Sequence, residues 1–424
     1  MKVLIKNGRV INPGTQMDDI RDVFIVDEKI EAIDKNMEVQ ADQVIDATGK
    51  IVVPGFVDLH VHLREPGFET KETIESGTYA AVAGGVTTVA CMPNTKPAIH
   101  SKEVVELIQE KAQQAGYARV EVVGAITEDI MGKNIAPLKE LMAAGVCGVS
   151  DDGRTTPDHD IMIEAFKTIK ERDLPLMAHT EDDKLARGGC MHEGDYSKKH
   201  GLQGIPSAAE YNIVKRDIDM CRATDSRLHV CHVSTKESVA FIKEAKAEGV
   251  KVTVEVCPHH FILTDKDVDP NNAYSKVNPP LRSQADKEAM IQGIQDGTID
   301  CIVTDHAPHD EKTKSVHYSK AAFGISGIET SFALSYTYLV RENHIDLMKL
   351  VDLMAYSPSQ IIKRDLGNLA VGKLADIAVI DLEEAYTIDG SQFKSKGKNT
   401  PFNGYQVYGV VDYTLVNGQV VYRR

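Results

Sequence analysis

The sequence contains no long apolar run, and its opening residues MKVLIKNGRVIN lack the apolar core of a signal peptide. A membrane-spanning helix needs about 20 consecutive apolar residues, and no segment approaches that length. We therefore expect a cytoplasmic protein that makes no use of a membrane.

The sequence also lacks a Cys-x-x-Cys motif. Its seven cysteines are scattered, and several lie in apolar segments, as Cys91 and Cys301 do. This pattern is typical of buried free thiols in a reducing compartment. It argues against disulfides and against a zinc–thiolate cluster.

No segment concentrates basic charge, and 63 acidic residues outnumber 48 basic ones to give a net charge of −15. Such a chain is a poor candidate for binding nucleic acid, although one or two local arginines could still bind a small anion. The 424 residues, 42% of them hydrophobic, can bury a large core in one big domain or in two to three smaller ones.

The two ends of the chain share a β character that the middle lacks. Both carry short alternating segments, with Asn-Gly turns expected at residues 7–8 and 417–418 and a hairpin at Asp27–Glu28. We predict a small β-sandwich domain assembled from residues 1–53 and 364–424. The stretch 394–405 within it contains Lys, Gly and Pro and is expected to be a surface loop.

The middle of the chain alternates strands with amphipathic helices. Eight segments are predicted as strands, namely 52–62, 85–94, 119–127, 145–152, 174–181, 228–234, 251–260 and 299–308. Eight strands that are each followed by a helix indicate a (β/α)8 barrel. The predicted fold class is therefore α/β, a distorted TIM barrel over residues 54–363 with the β-sandwich domain beside it.

Histidines and aspartates stand at the ends of several predicted strands. His60 and His62 alternate on one strand, so they point to the same face. Asp151, Asp152, His179, His232 and Asp305 follow later strands. Alone, a histidine could be a core residue and an aspartate a helix cap. Together they indicate a site for Zn²⁺ or a similar ion, with enough ligands for two metals.

Six segments resemble the amidohydrolase superfamily and, within it, the long-chain dihydroorotases. They are DLHVHLREPG (58–67), MPNTKP (92–97), SDDG (150–153), NPPLR (278–282), TDHAPH (304–309) and NLAVGKLADIAVID (368–381). The resemblance implies reversible cyclisation of N-carbamoyl-L-aspartate to L-dihydroorotate in the synthesis of pyrimidines, and ultimately of UMP.

The resemblance also implies the roles of the strand-end residues. His60 and His62 would bind one Zn²⁺ ion and His179 and His232 a second, although other divalent metals would suit the same ligands. Asp152 would bridge the two ions where many relatives carry a carbamylated lysine, and Asp151 is its neighbouring alternative. Asp305 would be both a metal ligand and the general acid/base.

Arg64 lies two residues beyond His62, so strand spacing places it near the mouth of the barrel, where a guanidinium suits a carboxylate. A salt bridge at the rim is the alternative for Arg64, and a turn is the alternative for Asn94. The resemblance implies a larger substrate-binding set, which comprises His62, Leu63, Arg64, Asn94, Asn278, His309, Phe323 and Gly324. The loop 309–327 is either a lid over the substrate or an ordinary exposed loop.

Two other functions fit parts of this pattern. One is a hydantoinase or allantoinase, against which Arg64 and the aspartate in place of the bridging lysine argue. The other is a non-catalytic scaffold for aspartate transcarbamoylase, against which the complete ligand set argues. We expect a homodimer that acts on a small molecule, with aspartate transcarbamoylase as a candidate partner.

Overall fold

The computed structural model describes residues 1–424. Its strands, in chain order, are β1 (Lys2–Asn12), β2 (Met17–Val26), β3 (Lys29–Asp34), β4 (Gln43–Asp46), β5 (Ile51–Pro54), β6 (Phe56–Val61), β7 (Val86–Cys91), β8 (Arg119–Ala125), β9 (Gly148–Ser150), β10 (Pro175–Ala178), β11 (Met191–His192), β12 (Gly204–Ile205), β13 (Arg227–Val230), β14 (Val252–Val256), β15 (Cys301–Ile302), β16 (Ile377–Thr387), β17 (Gln406–Val416) and β18 (Gln419–Arg423).

Helices fill most of the segments between the strands of the middle region. They are α1 (Ile74–Ala83), α2 (Lys102–Ala115), α3 (Leu138–Ala143), α4 (His159–Lys170), α5 (Asp183–Ala186), α6 (Asp195–Lys199), α7 (Ala208–Thr224), α8 (Lys236–Ala247), α9 (Pro258–Ile262), α10 (Gln284–Asp296), α11 (Glu311–Lys314), α12 (Ser331–Ser335), α13 (Leu347–Val351) and α14 (Ser357–Ile361). Two π-helical segments, Tyr336–Val340 and Asp352–Tyr356, continue α12 and α13.

Strands from both chain ends form one eight-stranded sheet in the order β18-β17-β16-β5-β1-β2-β3, with β4 paired to β1. The antiparallel pairing of β16 with β5 joins the C-terminal strands to the N-terminal ones. Its side chains form a separate hydrophobic cluster that includes Val3, Ile25, Val52 and Ile377. The division of the chain at residues 53 and 363 remains a prediction.

The two Asn-Gly pairs of this sheet have different roles. Asn417 and Gly418 both have positive φ (47° and 72°) and make the predicted tight turn between β17 and β18. Asn7 also has a positive φ (62°), but β1 continues through it with a register shift against β2. The turn predicted at residues 7–8 is therefore wrong, and the pair forms a bulge within one strand.

Eight parallel strands form the second large sheet, in the order β15-β14-β13-β10-β9-β8-β7-β6. A hydrogen bond from His62 N to His306 O (2.8 Å) brings its two edges together, so the sheet is a nearly closed barrel. Seven of these strands lie within the predicted segments, and β13 begins one residue before its segment. The predicted mixed α/β barrel, with a separate sheet from the termini, is confirmed.

The first predicted barrel strand is in fact two strands. Residues Ile51–Pro54 belong to the terminal sheet, and the barrel begins at Phe56. Gly55 separates them at a very close approach to Thr87, where a Cβ atom would lie 2.2 Å from the Thr87 side chain. Apolar composition is the same on both sides of this break, which is why the sequence pattern did not separate the two strands.

The barrel interior is filled by side chains that include Leu59, Val123, Met177 and Val303. All seven cysteines are free and buried. No helix is both long and apolar enough to cross a membrane.

Candidate metal centre

The strand ends of the barrel bring all six predicted metal ligands together. His60 lies on β6 and His62 one residue past its end, and both side chains are buried. Asp152, His179, His232 and Asp305 follow β9, β10, β13 and β15. Because the carboxyl ends of parallel barrel strands open on the same face, these side chains converge there.

His60 presents a free nitrogen to the two carboxylates. Its Nδ1–H donates to Glu255 Oε1 (2.6 Å). Its Nε2 is buried, has no hydrogen-bond partner, and lies 3.4 Å from Asp152 Oδ1 and 3.6 Å from Asp305 Oδ1. A buried imidazole nitrogen that faces two carboxylates fits a metal ligand.

His62 is oriented in the same way by a different residue. Its Nδ1 lies 2.9 Å from Asn94 Oδ1, and its Nε2 lies 3.0 Å from Asp305 Oδ1 and 3.5 Å from Asp152 Oδ2. Asn94 therefore fixes the ring orientation of His62, as residues that support metal ligands do.

His179 and His232 also face Asp152. His179 Nδ1 and His232 Nε2 each lie 3.4 Å from Asp152 Oδ1 and 3.1 Å from each other. Two nitrogens at this distance, both facing one carboxylate oxygen, are well placed to share a cation. Asp152 thus lies between the two histidine pairs.

The neighbouring aspartates have different environments. Asp151 accepts hydrogen bonds from Ile126 N (2.9 Å), Thr127 N (3.0 Å), Thr127 Oγ1 (2.5 Å) and Thr156 Oγ1 (2.6 Å). Its oxygens are thereby used to hold the loop after β8 against the loop after β9. Asp152 has only the histidines beside it.

Two buried carboxylates that support the site were missed at the sequence level. Glu255 on β14 binds His60 Nδ1, His229 Nε2 (2.9 Å) and His232 N (3.1 Å). Asp58 on β6 accepts from Thr304 Oγ1 (2.6 Å) and His60 N (3.1 Å), which ties β6 to the segment that carries Asp305. A charged residue inside an otherwise apolar strand is the signal that could have found both.

The carboxylates of the centre are ionised at neutral pH. Burial alone would raise the pKa of Asp152, but His60, His179 and His232 outweigh burial and hold it well below its ordinary value. In Asp305, the hydrogen bond with His62 and the nearby histidine charges likewise overcome burial and lower the pKa. For Glu255, the His60 charge and the bond with His229 overcome burial and lower the pKa to about 2.

Among the predicted metal ligands, two overlapping groups of buried side chains have ligand atoms within 4.8 Å of one another. One is His60, His62 and Asp305, and the other is His60, Asp152 and His232. Imidazole and carboxylate donors with no cysteine suit Zn²⁺ and similar divalent ions. The residues therefore fit a metal centre by chemistry, burial and the orientation of their free nitrogens.

A cavity of about 210 Å³ opens above this centre. It is lined by His62, Arg64, Asn94, Asp152, Gly153, His179, His232, Asn278, Asp305, Ala307, His309, Phe323 and Gly324. The structure thus brings every predicted substrate-binding residue to the cavity except Leu63. The Leu63 side chain lies in the main hydrophobic cluster, so a contact from this residue has to come from its backbone.

Arg64 lies in the cavity wall without a salt bridge. Its Nε donates to Pro308 O (3.3 Å), and its Nη2 lies 3.3 Å from His309 Nε2. Burial lowers the pKa of Arg64 to about 10, so it stays positively charged at neutral pH. Burial and the Arg64 charge lower the pKa of His309 to about 2, so His309 is neutral. The wall thus presents one unpaired cation.

The opposite part of the wall offers amide groups. Asn278 Nδ2 donates to Glu181 Oε1 (3.2 Å), while its Oδ1 is buried without a partner. Phe323 O accepts from His309 Nε2 (2.8 Å), and Gly324 N donates to Lys276 O (2.9 Å). Those two backbone atoms are already used within the protein, so Asn278 Oδ1 is the free acceptor on this side.

The chain has many full-length relatives in sequence. The family described as Dihydro-orotase-like matches residues 49–238. Proteins named Dihydroorotase from Acetivibrio thermocellus and Elusimicrobium minutum are 46% identical, over 99% of this chain and 99% and 97% of their own lengths. The Dihydroorotase of a Thermoanaerobacter species is 47% identical over 100% of this chain and 98% of its own.

Solved structures of the same fold include two hydantoinases. The L-hydantoinase (dihydropyrimidinase) of Arthrobacter aurescens is 27% identical and superposes with a TM-score of 0.88, covering 99% of this chain and 96% of its own. The D-hydantoinase of a Thermus species is also 27% identical, with a TM-score of 0.86 and coverages of 99% and 95%. The sequence relatives decide between these groups, and the chain belongs to the dihydroorotase family.

Proposed function

We propose that the protein is a dihydroorotase, which reversibly cyclises N-carbamoyl-L-aspartate to L-dihydroorotate and water in pyrimidine synthesis. The observation that carries the proposal is the placement of Arg64, a half-buried cation without a salt bridge, in the same small cavity as Asp305 and the histidines. Dihydroorotate is a cyclic amide with a carboxylate on its ring, so it needs an anion-binding group beside a hydrolytic centre.

The proposed metal centre holds two divalent ions, and Zn²⁺ is the proposed metal. His60 and His62 would bind one ion, His179 and His232 the other, with Asp152 between them and Asp305 as a further ligand. Bound ions would polarise the ring carbonyl and make water acidic enough to attack it near neutral pH. The partnerless Nε2 of His60 and the ionised Asp152 support this arrangement.

Asp305 is the proposed general acid/base. Its carboxylate is ionised and faces His62 Nε2 at 3.0 Å at the floor of the cavity. In ring opening it accepts the proton of the attacking water and then delivers that proton to the departing ring nitrogen. Ring closure follows the same path in reverse.

The remaining wall residues recognise the substrate. Arg64, with Asn94 and His309 beside it, would bind the ring carboxylate, since a guanidinium can donate two parallel hydrogen bonds to it. Asn278 Oδ1, which has no partner within the protein, would accept a hydrogen bond from a ring N–H. His62, the Leu63 backbone, Phe323 and Gly324 would complete the contacts.

A hydantoinase-type activity is the second candidate, because the solved structures of the same fold carry that name. Hydantoin and dihydrouracil are rings without a carboxylate. Burying an unpaired arginine beside such a ring would cost binding energy without a matching anion. Arg64 therefore favours the carboxylated ring.

The test offers the purified protein dihydroorotate, dihydrouracil, hydantoin and allantoin side by side, and carbamoyl-aspartate in the direction of ring closure. We expect turnover of dihydroorotate and carbamoyl-aspartate, with about two divalent metals per chain by elemental analysis, as the paired histidines require. Turnover of the uncharged rings alone would reject the proposal. Less than one metal per active chain would reject the binuclear centre.

We further propose a cytoplasmic homodimer and retain aspartate transcarbamoylase as a candidate partner. We also propose that residues 54–363 form the catalytic barrel and that the segments on either side of it form the two parts of a β-sandwich domain. Analytical ultracentrifugation of the protein, alone and mixed with aspartate transcarbamoylase, measures both assemblies. A monomer that does not change its sedimentation in the mixture would contradict both.

A further inference from the structure

The segment expected to be a surface loop lies partly inside the protein. Ser395, Asn399 and Thr400 are all buried, and Phe402 packs in the main hydrophobic cluster. We call residues 394–400 the C-terminal strap. It belongs to the part of the chain between β16 and β17, yet it contacts the segments that follow β6 and β15.

Several contacts fix the strap to the barrel. The Ser395 hydroxyl donates to Glu72 Oε2, and Lys396 N donates to Glu72 Oε1 (3.2 Å). Gly397 passes so close to the barrel that a Cβ atom would lie 2.5 Å from Pro308 and 2.6 Å from Ser326 Oγ. Only glycine allows this approach, which brings Asn399 against the loop 309–327.

Asn399 makes three hydrogen bonds, and all of them end on that loop. Its Oδ1 accepts from His309 N (3.2 Å), its Nδ2 donates to Gly324 O (2.9 Å), and its backbone oxygen accepts from Ser326 N (2.8 Å). The side chain therefore connects the beginning of the loop with its end. Both connected residues, His309 and Gly324, line the cavity.

The Gly324 carbonyl also accepts a hydrogen bond from the buried Lys314 ammonium (2.9 Å), so both of its acceptor positions are used. Lys314 donates to Ala322 O (2.8 Å) as well. The end of the loop is thus held from within by Lys314 and from outside by Asn399. Asn399 makes no contact with the histidines and carboxylates of the metal centre.

We propose that Asn399 is a positioning residue for substrate binding, through which the C-terminal strap holds the anion-binding wall, the part of the cavity formed by Arg64 and the loop 309–327. Asn399 fixes the backbone of His309, and the His309 ring lies between Arg64 Nη2 and Phe323 O. The proposal rests on the proposed function, because it assigns the strap to recognition of the substrate carboxylate. The C-terminal part of the chain then contributes to the active site without touching the substrate.

The test compares Asn399→Ala, Asn399→Asp and the control Asn403→Ala in the metal-loaded full-length protein. Asn403 is exposed and accepts only from Gly390 N (2.7 Å), away from the loop 309–327. The readouts are KM and kcat for dihydroorotate, metal content, and hydrogen exchange of peptides from the loop.

Asn399→Ala is expected to raise KM about tenfold and to change kcat less, because the lost contacts support ground-state and transition-state binding alike. Exchange in 309–327 should accelerate while metal content stays at the wild-type level. Asn399→Asp keeps the shape and the acceptor but cannot donate to Gly324 O, so it should be at least as impaired as Asn399→Ala. Asn403→Ala should match wild type.

Wild-type KM in Asn399→Asp would overturn the proposal, since the donor to Gly324 would then be dispensable. Metal loss, or faster exchange across the whole chain, would also overturn it and leave Asn399 a general structural role. If wild type hydrolyses no dihydroorotate, the proposed function fails. In that case, hydrogen exchange in the loop 309–327 still tests whether Asn399 holds this loop.

Discussion

Two walls of the cavity are built in different ways. The metal-centre wall consists of side chains at strand ends, where neighbours in the barrel bring His60, Asp152 and Asp305 together. The anion-binding wall consists of Arg64 and the loop 309–327, and this loop is held by a strap residue that is 75 positions from Gly324 and 90 from His309 in the chain. The difference shows that metal ligands take their places from the fold, whereas substrate recognition depends on contacts between distant segments.

The largest expected effect is the difference between Asp152→Ala and Asp151→Ala in bound metal and activity. Asp152→Ala should lose bound metal and with it nearly all activity, because Asp152 lies between the two histidine pairs. Asp151→Ala should keep the metals but lose roughly 3 kcal/mol of stability, since its hydrogen bonds to Thr127 and Thr156 disappear. Elemental analysis and thermal unfolding of both variants measure this contrast. The reverse pattern would exchange the roles of the two residues.

The next effect concerns Asp305 on the same wall. Asp305→Asn keeps the shape and one ligating oxygen but cannot carry a proton, so the rate should fall about 10²- to 10⁴-fold in both directions. The protein should stay folded and keep its metals.

The pH dependence follows from the lowered pKa of Asp305. The carboxylate is ionised above that pKa, so ring opening in the wild type should fail only as the pH falls towards it. Ring closure should tolerate lower pH. Rate profiles in both directions check this expectation. If Asp305→Asn kept near-normal rates and the same fall in rate at low pH, Asp305 would be only a metal ligand.

The metal-centre wall is the part that the sequence could predict. A histidine or aspartate directly after an apolar strand must lie at the strand's carboxyl end, and eight such strands must bring their ends together. The choice of Asp152 over Asp151 came from the family resemblance. The structure supplies a physical reason for it in the threonine bonds that occupy Asp151.

The anion-binding wall could be predicted only by residue type. Strand spacing placed Arg64 near the mouth, but nothing local indicated that Asn399 would lie beneath His309. The stretch 394–405 has the composition of an exposed loop, and its burial results from tertiary contacts such as that of Ser395 with Glu72. The separation of β5 from β6 at Gly55 also depends on a tertiary contact, the close approach of Gly55 to Thr87, so local sequence did not predict it.

A smaller effect is expected on the anion-binding wall. Arg64→Lys keeps the charge but loses the planar pair of donors, so kcat/KM for dihydroorotate should fall about 10- to 100-fold. Metal content should not change, because Arg64 contacts Pro308 and His309 but none of the proposed ligands. The matched control is Arg154→Lys, an exposed arginine beside the cavity-lining Gly153. Normal kinetics in Arg64→Lys would mean that the carboxylate binds elsewhere.

The smallest effect concerns how the strap itself is fixed. Glu329 accepts hydrogen bonds from Lys394 N (2.8 Å) and Ser395 N (3.0 Å), and burial raises its pKa from 4.5 to about 7. Between these two values the folded protein holds a proton that the unfolded chain has lost, so stability should fall as the pH rises from 4.5 to 7. The glutamine in Glu329→Gln cannot ionise, so this loss should not occur. Above pH 7 the free energy of unfolding of the variant should exceed that of wild type by about 1–3 kcal/mol.

Thermal unfolding of wild type and Glu329→Gln at pH 5 and pH 8 measures the effect. The unfolding temperature of the variant should equal that of wild type at pH 5 and be higher at pH 8. Equal unfolding temperatures at both pH values would mean that ionisation of Glu329 does not affect stability. Asp152 is buried and Glu329 partly buried, yet the pKa values of the two carboxyl groups move in opposite directions. Histidines surround Asp152 and keep it charged for a cation, whereas Glu329 faces backbone amides of the strap. The histidines around Asp152 outweigh the effect of burial on its pKa, whereas the strap amides do not outweigh that effect for Glu329, so Asp152 is the carboxyl suited to bind a cation.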